Sequence, residues 1–228
     1  MRSLALPRAS QRYRYSVMSA FRQSCEAGVR YGYLTRNPAK AAGKNPMPPP
    51  RPVRVFSANE LDAIATELDK RGAAAVRFAA ATGLRPGEWS SVQWGDVDRT
   101  RRILSVRGTK TQRSRREVPL TAPALDALDA APARIPFVFG GQKGGPFDLH
   151  NFRKRAWGPA VDAGGIAKPA RIYDLRSTFI SNALARGLTV FETARVAGTS
   201  VQMIELHYGA LLDTAHESLL ERLEGLGH

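Results

Sequence analysis

Cysteine is nearly absent from this chain: Cys25 is the only one among 228 residues. An internal disulfide is therefore impossible and a four-thiolate zinc site is excluded. A single thiol fits a reducing compartment. Long apolar runs are missing as well. No stretch of ~18 consecutive apolar residues occurs, so no membrane span is expected. Acid is scarce at the front: residues 1–54 hold eleven Arg and Lys against Glu26 alone, a balance of +10 out of the chain's +14. A surface that one-sided favours a polyanion, either nucleic acid or an anionic membrane face. The acid-free opening MRSLALPRASQRYRYS has the composition of an organellar leader. The positive charge continues far past it, however, and the segment runs into a helix.

What is present is enough apolar material, 43% of residues, for one sizeable core plus a small appendage. Ser10 to Tyr31 reads as one helix, with Tyr13, Val17, Phe21, Cys25 and Gly28 recurring every three or four residues. Asn37-Pro38 ends it. The Pro-rich stretch from Asn45 to Pro52 favours polyproline II and reads as a semi-rigid linker. The domain boundary is placed there: a basic N-terminal segment over residues 1–50, and a main domain over 51–228. One helix and a turn cannot enclose a core, so the first segment is either a docked arm or the tail of a larger domain.

In the main domain, Ser57-Ala-Asn-Glu60 is a capping box before a helix carrying Leu61, Ile64, Ala65 and Leu68. A helix follows over about 73–82, with Gly83 as its C-cap, and Pro86 opens a short helix. Ile103–Arg107 and Arg116–Leu120 form a hairpin with a basic tip. Helices are predicted over 123–130 and 152–163, and near 173–186, 190–197, 201–207 and 211–223. Trp89, Trp94 and Trp157 read as packing residues. The fold class is mainly α with a small antiparallel β-sheet (α+β).

Four segments stand apart from ordinary helix punctuation. Ala81-Thr-Gly-Leu-Arg-Pro-Gly-Glu88 puts Arg85 directly after a helix end with Glu88 three residues on. Gly108-Thr-Lys-Thr111 lies at the hairpin tip. Tyr173-Asp-Leu-Arg-Ser-Thr-Phe179 and Gly198-Thr-Ser-Val-Gln-Met-Ile-Glu-Leu-His-Tyr208 follow. In this order and spacing they resemble the catalytic boxes of the tyrosine recombinase (phage integrase) family, from about Arg51 to Leu212. The Arg36-Asn-Pro38 turn resembles the end of that family's core-binding domain, so residues 1–50 would be a truncated core-binding domain plus linker.

The resemblance implies a site-specific recombinase or integrase of a mobile element. It would cleave and rejoin DNA through a 3′-phosphotyrosyl link, with no metal, ATP or other cofactor. Arg85 and Arg176 would grip the scissile phosphate, Lys110 would protonate the leaving 5′ oxygen, and Tyr208 would be the nucleophile. Glu88 would support Arg85, and Asp174 lies inside the second box. Two positions depart from the family pattern. Tyr173 stands where His is usual, and Thr199 where His or Trp is usual. Both residues are expected to keep a hydrogen-bonding role. If they do not, the chain is a catalytically weak or inactive DNA-binding member, an accessory protein or a fragment. A type IB topoisomerase shares the chemistry.

The chemical logic is general. Guanidinium groups offer paired, permanently charged donors to phosphate oxygens, and tyrosine is a poor nucleophile until neighbouring cations or a base assist it. From Arg99 to Arg116 there are eight basic residues and no acid. Arg107, Arg113, Arg115 and Arg116 there, with Arg51 and Arg54 at the domain junction, are expected to contact backbone phosphates; Arg134 and the Arg153–Arg155 run could do likewise. The implied partners are double-stranded DNA, further copies of the chain as a tetramer on paired sites, and an accessory DNA-bending protein. The implied location is cytoplasmic and DNA-associated, with no membrane. The apolar spacing after Tyr208 (Leu212, Ala215, Leu219, Leu223, Leu226) marks a tail helix that packs on its own domain or on a neighbouring subunit.

Overall fold

The computed structural model describes residues 9–49, 52–107, 115–132, 136–141 and 144–212. It divides into two compact units, Met1–Arg51 and Pro52–His228.

The first unit is built on α1 (Gln11–Arg30), whose N-terminus is capped by the Ser10 hydroxyl accepting from the Tyr13 N–H at 3.2 Å. Of the apolar stripe expected on this helix, only Cys25 is buried; Tyr13, Val17 and Phe21 are exposed. After the helix, Asn37 folds the chain back, donating to the Arg22 carbonyl (3.0 Å) and to Glu26 (2.8 Å). Glu26 also pairs with Lys40 at 2.9 Å. Residues 43–49 have no regular secondary structure. They are nonetheless not a free spacer: Asn45 donates to the Tyr15 carbonyl at 3.1 Å, and Arg12 donates to the Pro49 carbonyl at 2.9 Å.

The second unit holds α2 (Ala58–Thr66), α3 (Lys70–Thr82), α4 (Pro86–Trp89), β1 (Val97–Asp98), β2 (Ile103–Val106), β3 (Arg116–Pro119) and α5 (Ala122–Ala130). It continues with α6 (Leu149–Phe152), α7 (Gly158–Ala163), α8 (Asp174–Ala185), α9 (Val190–Ala197) and α10 (Val201–Leu212). The capping box on α2 forms in both directions, Glu60 N–H to Ser57 Oγ and Ser57 N–H to Glu60 Oε2. Helix α3 begins three residues before the expected start, because Asp69 caps it by accepting from the Gly72 N–H at 2.7 Å. Gly83, at φ +63°, closes it in the left-handed region that favours glycine.

The hairpin pairs antiparallel with Leu104 opposite Val118. A third strand, β1, joins β2 to make the order β1-β2-β3. At two residues it is too short to leave a periodic signal in the sequence. Between α6 and α7 the chain makes a π-helical turn, Arg153–Trp157, so the single helix expected there starts at Leu149 and is interrupted.

The main core runs through Phe56, Ile64, Phe78, Trp89, Leu104, Val118, Phe139, Trp157 and Leu175. Trp89 and Trp157 thus pack as expected, and Trp94 packs at the edge under Arg99. A second, smaller cluster joins Ile180 and Leu184 of α8, Ala194 and Ala197 of α9, and Ile204 and Tyr208 of α10. Helix α10 continues without a break to Leu212, although two helices were expected on either side of residues 208–210. A helical glycine such as Gly209 costs only about 1 kcal/mol, which the packing of Ile204 and Tyr208 exceeds. The side chains of the tail positions expected to pack, Leu212 onward, lie outside what the structure describes.

Candidate active site

The site is assembled around the C-terminal end of α9. Gly198 adopts φ +69° there, and the Thr199 N–H returns to the Ala194 carbonyl at 2.9 Å. This cap leaves the carbonyls of residues 196–198 in need of donors. Three arginines supply them. Arg116 donates through Nε to the Val196 carbonyl (2.9 Å) and through Nη2 to the Ala197 carbonyl (3.1 Å). Arg176 donates through Nη1 to the Ala197 carbonyl, and to the Gly83 carbonyl at 2.8 Å. Arg85 donates through Nη2 to the Gly198 carbonyl. Cations at a helix C-terminus also suit the negative end of its dipole.

Glu88 ties this arrangement together. Its carboxylate accepts from the Arg85 N–H (2.9 Å), Arg85 Nη1 (3.0 Å), Arg116 Nη1 (3.0 Å) and Arg116 Nη2 (2.9 Å). Burial alone would push the Glu88 carboxyl up. The hydrogen bonds from Arg116 and the Arg85 backbone, with the charges of both arginines, outweigh burial and hold it below the usual carboxylate range.

Arg176 is 2% exposed on α8, a helix buried on most sides. Burial holds its guanidinium below the usual range; Arg85 and Arg116 act the same way, while Tyr173 and Glu88 oppose them. Asp174, also fully buried, accepts from the Arg171 N–H (2.8 Å) and from the Arg171 side chain at 3.1 and 2.9 Å. The Thr178 hydroxyl pins α8 further, donating to the Asp174 carbonyl and accepting from the Phe56 N–H at 2.9 Å.

Tyr208 lies in the smaller apolar cluster at 7% exposure. Its hydroxyl is pushed up chiefly by burial, opposed by a hydrogen bond with Ser177 and by the charge of Arg176. Tyr173, directly before α8, is about half exposed and faces the same group. Thr199 is half-buried immediately after Gly198.

Arg85, Glu88, Tyr173, Asp174, Arg176, Thr199 and Tyr208 are therefore brought to one region. Lys110, Arg113, Arg134 and Arg51 lie outside the described residues. The arginines expected at phosphates separate into distinct environments. Arg115 is exposed. Arg54 is part-buried, pairs with Glu60 and lies over the Phe56 ring. Arg107 pairs with the buried Asp96 at 2.6 Å. Arg116 points inward, its side chain only 9% exposed, with its donors spent on Glu88 and the α9 carbonyls. Sequence reasoning missed Arg171 and Ser177. The clue to Arg171 was Asp174 three residues on, the spacing that also joins Arg85 to Glu88. Ser177 left no such clue.

A mostly helical domain with a three-stranded antiparallel sheet beside this constellation is the fold of tyrosine recombinase catalytic domains. The fold matches the Tn1549 transposon integrase with a TM-score of 0.76 at 16% identity, covering 95% of this chain and 81% of that one. Lambda integrase matches at TM-score 0.70 and 18% identity over 85% and 74% of the two chains. XerA recombinase matches at 0.60 and 22% over 92% and 77%. The chain belongs to the phage integrase family, whose pattern it matches over residues 54–208. A Sinorhizobium fredii protein named as an integrase/recombinase is 30% identical over 123 residues, covering 46% of this chain and 38% of the relative. A Haemophilus influenzae protein of the same description is 32% identical over 114 residues, covering 46% and 37%. These matches span well under half the length of the curated relatives.

Proposed function

We propose that this chain cuts and rejoins DNA strands through an ester between Tyr208 and a 3′ phosphate. The observation that carries this reading is the convergence of Arg85 and Arg176 on the successive carbonyls of Gly198 and Ala197, at the corner leading into the helix that bears Tyr208. Two guanidinium groups fixed by backbone carbonyls form a preorganised cradle for a phosphodiester, whose negative charge spreads over the non-bridging oxygens as it is attacked. Arg85 is the more open of the two, its side chain 41% exposed.

In the reaction, Tyr208 Oη attacks phosphorus and releases its proton to water. The bond from phosphorus to the 5′ oxygen breaks, and Lys110 returns a proton to that oxygen. Reversal by a 5′ hydroxyl from another strand re-forms the phosphodiester and frees Tyr208. The ester conserves the bond energy, so no nucleotide cofactor is consumed. Tyr173 and Thr199 act as hydrogen-bonding groups at the phosphate. DNA as partner is supported by the related structures, which include the Tn1549 integrase in complex with circular intermediate DNA and a lambda integrase dimer bound to a core site. Assembly on paired sites, with further copies and with an accessory DNA-bending protein, belongs to the same proposal, as does a cytoplasmic, DNA-associated location.

The test is covalent capture. The protein is incubated with a nicked-duplex library of randomised sequence, denatured, and examined for DNA that stays attached. The wild type should yield an adduct that Tyr208→Phe lacks. No adduct with the wild type would leave the chain as a DNA-binding member of the family without strand transfer.

A further inference from the structure

We propose that Arg116 is a positioning residue for Arg85, holding it in place through Glu88 and the carbonyl corner at residues 196–198. This rests on the recombinase reading for its catalytic consequence, though not for its geometry.

Arg116 comes from β3, Glu88 from α4 and the carbonyls from α9. One planar guanidinium makes four hydrogen bonds between them. Both Nη atoms go to Glu88, Nε goes to Val196, and Nη2 is shared with Ala197. The fork geometry is specific to arginine, since a lysine ammonium cannot span a carboxylate side-on and cap a helix end in the same plane. Glu88 passes the constraint to Arg85 through two further bonds, one to its backbone and one to its side chain. Arg85 then completes the circuit at the Gly198 carbonyl, next to the Ala197 carbonyl that Arg116 holds. The seat is made for this side chain: a Cβ on Gly198 would stand 2.4 Å from Arg116 Cζ and 2.5 Å from its Nη1. With its side chain 9% exposed and Nε, Nη1 and Nη2 all engaged by Glu88 and the α9 carbonyls, Arg116 is turned away from a phosphate-contacting role.

Removing the fork leaves Glu88 buried with a weaker partner, and Arg85 with a carboxylate that is no longer fixed. The charged groups facing Glu88 are Arg85 at the N-cap of its helix, Arg116 on β3 and Arg176 on α8. Without Arg116 this carboxyl loses the strongest of the influences that hold it down, so it takes up a proton more readily than in the wild type. Acid then neutralises Glu88 and releases Arg85.

The experiment compares wild type, Arg116→Lys, Glu88→Gln and the double variant, each as the full chain with its fold checked by circular dichroism. Strand cleavage is measured on a captured nicked duplex. The expected result for Arg116→Lys is DNA binding within about threefold of wild type and cleavage slower on the order of 10²-fold, the scale of one lost preorganised donor. Its pH–rate profile shows an acid limb at higher pH than in wild type, and the double variant does not show that limb. Unchanged cleavage, or a loss confined to binding, would overturn the proposal. Arginine side-chain NMR gives a readout that needs no catalysis. Hindered rotation should separate the Arg85 Nη signals in wild type, assigned by their loss in Arg85→Lys, and the signals should merge in Arg116→Lys and Glu88→Gln. If wild type forms no adduct, the recombinase reading falls and this NMR result alone decides; Nη signals still separate in both folded variants would overturn the positioning role. Should Arg116→Lys not fold, Glu88→Gln carries both measurements. Loss of fold in both would overturn a local role for Arg116.

Discussion

Arg116 and Glu88 face each other as a two-pronged pair, Nη1 to Oε1 at 3.0 Å and Nη2 to Oε2 at 2.9 Å, with both side chains about one-tenth exposed. A carboxylate so bound has its pKa held down, and this makes it a stability determinant with a definite pH signature. In the unfolded chain Glu88 titrates near 4.5, and in the folded chain below that. Its contribution is therefore complete above about pH 4.5 and is lost as pH falls through the folded value. The stability gap between wild type and Glu88→Gln, measured by urea unfolding, should be constant from pH 7 to 5.5 and shrink below 4.5. A gap that widens on acidification would contradict the assigned geometry.

Two glycines bear on the same corner. Gly83 and Gly198 both have φ near +65°, at +63° and +69°. An added Cβ would stand 2.2 Å from Phe179 Cδ1 at Gly83, and 2.4 Å from Arg116 Cζ at Gly198. The left-handed backbone alone penalises alanine by about 1 kcal/mol, and forced overpacking adds about 1–3 kcal/mol. Gly83→Ala and Gly198→Ala should each lower the thermal midpoint by several degrees. Gly198→Ala should in addition abolish strand cleavage, because it displaces the Arg116 guanidinium. Calorimetry and adduct capture on the same preparations check both effects.

Much of this was legible in the sequence because the signals were local. Ser57 with Glu60, Gly83 after α3 and Pro86 opening α4 each mark a boundary within four residues, and the structure places them there. The helical class and the two hairpin strands followed from periodicity. What local pattern could not reveal is pairing at a distance. Arg116 sits in a run of eight basic residues that reads as a phosphate-facing stripe. Its partner lies 28 positions away and its carbonyl acceptors 80 and 81 away. The same holds for Arg99 with Asp129 and Arg107 with Asp96. Strand β1, the π-helical turn and the continuation of α10 through Gly209 escaped for another reason. Each is decided by tertiary packing against weak or contrary local preference.

That redistribution of charge predicts which arginines set the salt dependence of DNA binding. Arg99, Arg101 and Arg107 pair with Asp129, Glu117 and Asp96. Arg102 and Arg115 are exposed and have no ion-pair partner among the described residues. Each neutralised phosphate contributes ~0.9 to the slope of log K against log salt. Arg102→Ala and Arg115→Ala should each reduce the slope by about one. Arg116→Lys should leave it unchanged, and the paired arginines should fall between. Fluorescence anisotropy on a duplex from 50 to 300 mM salt measures all of these. Equal slopes across the set would contradict a binding surface that includes the hairpin base.

Tyr208 carries the last prediction. Burial raises its hydroxyl above the ordinary tyrosine value near 10, and the hydrogen bond with Ser177 and the nearby Arg176 charge only partly offset this. A raised folded pKa favours the neutral form in the folded state. The associated stability is complete below about pH 10 and is lost as pH rises through the folded value. Absorbance at 295 nm should therefore show Tyr208 ionising later than an ordinary tyrosine among the six in the chain. The difference between wild type and Tyr208→Phe should grow only above pH 10. Ser177→Ala removes the one hydrogen bond that lowers the value, so it should shift this component further up and slow adduct formation at neutral pH. A Tyr208 component appearing below pH 10 in the free protein would mean that the tyrosine is activated before DNA arrives. The structure argues against that, because the Tyr208 side chain is buried in the smaller apolar cluster and burial raises its hydroxyl despite Ser177 and Arg176.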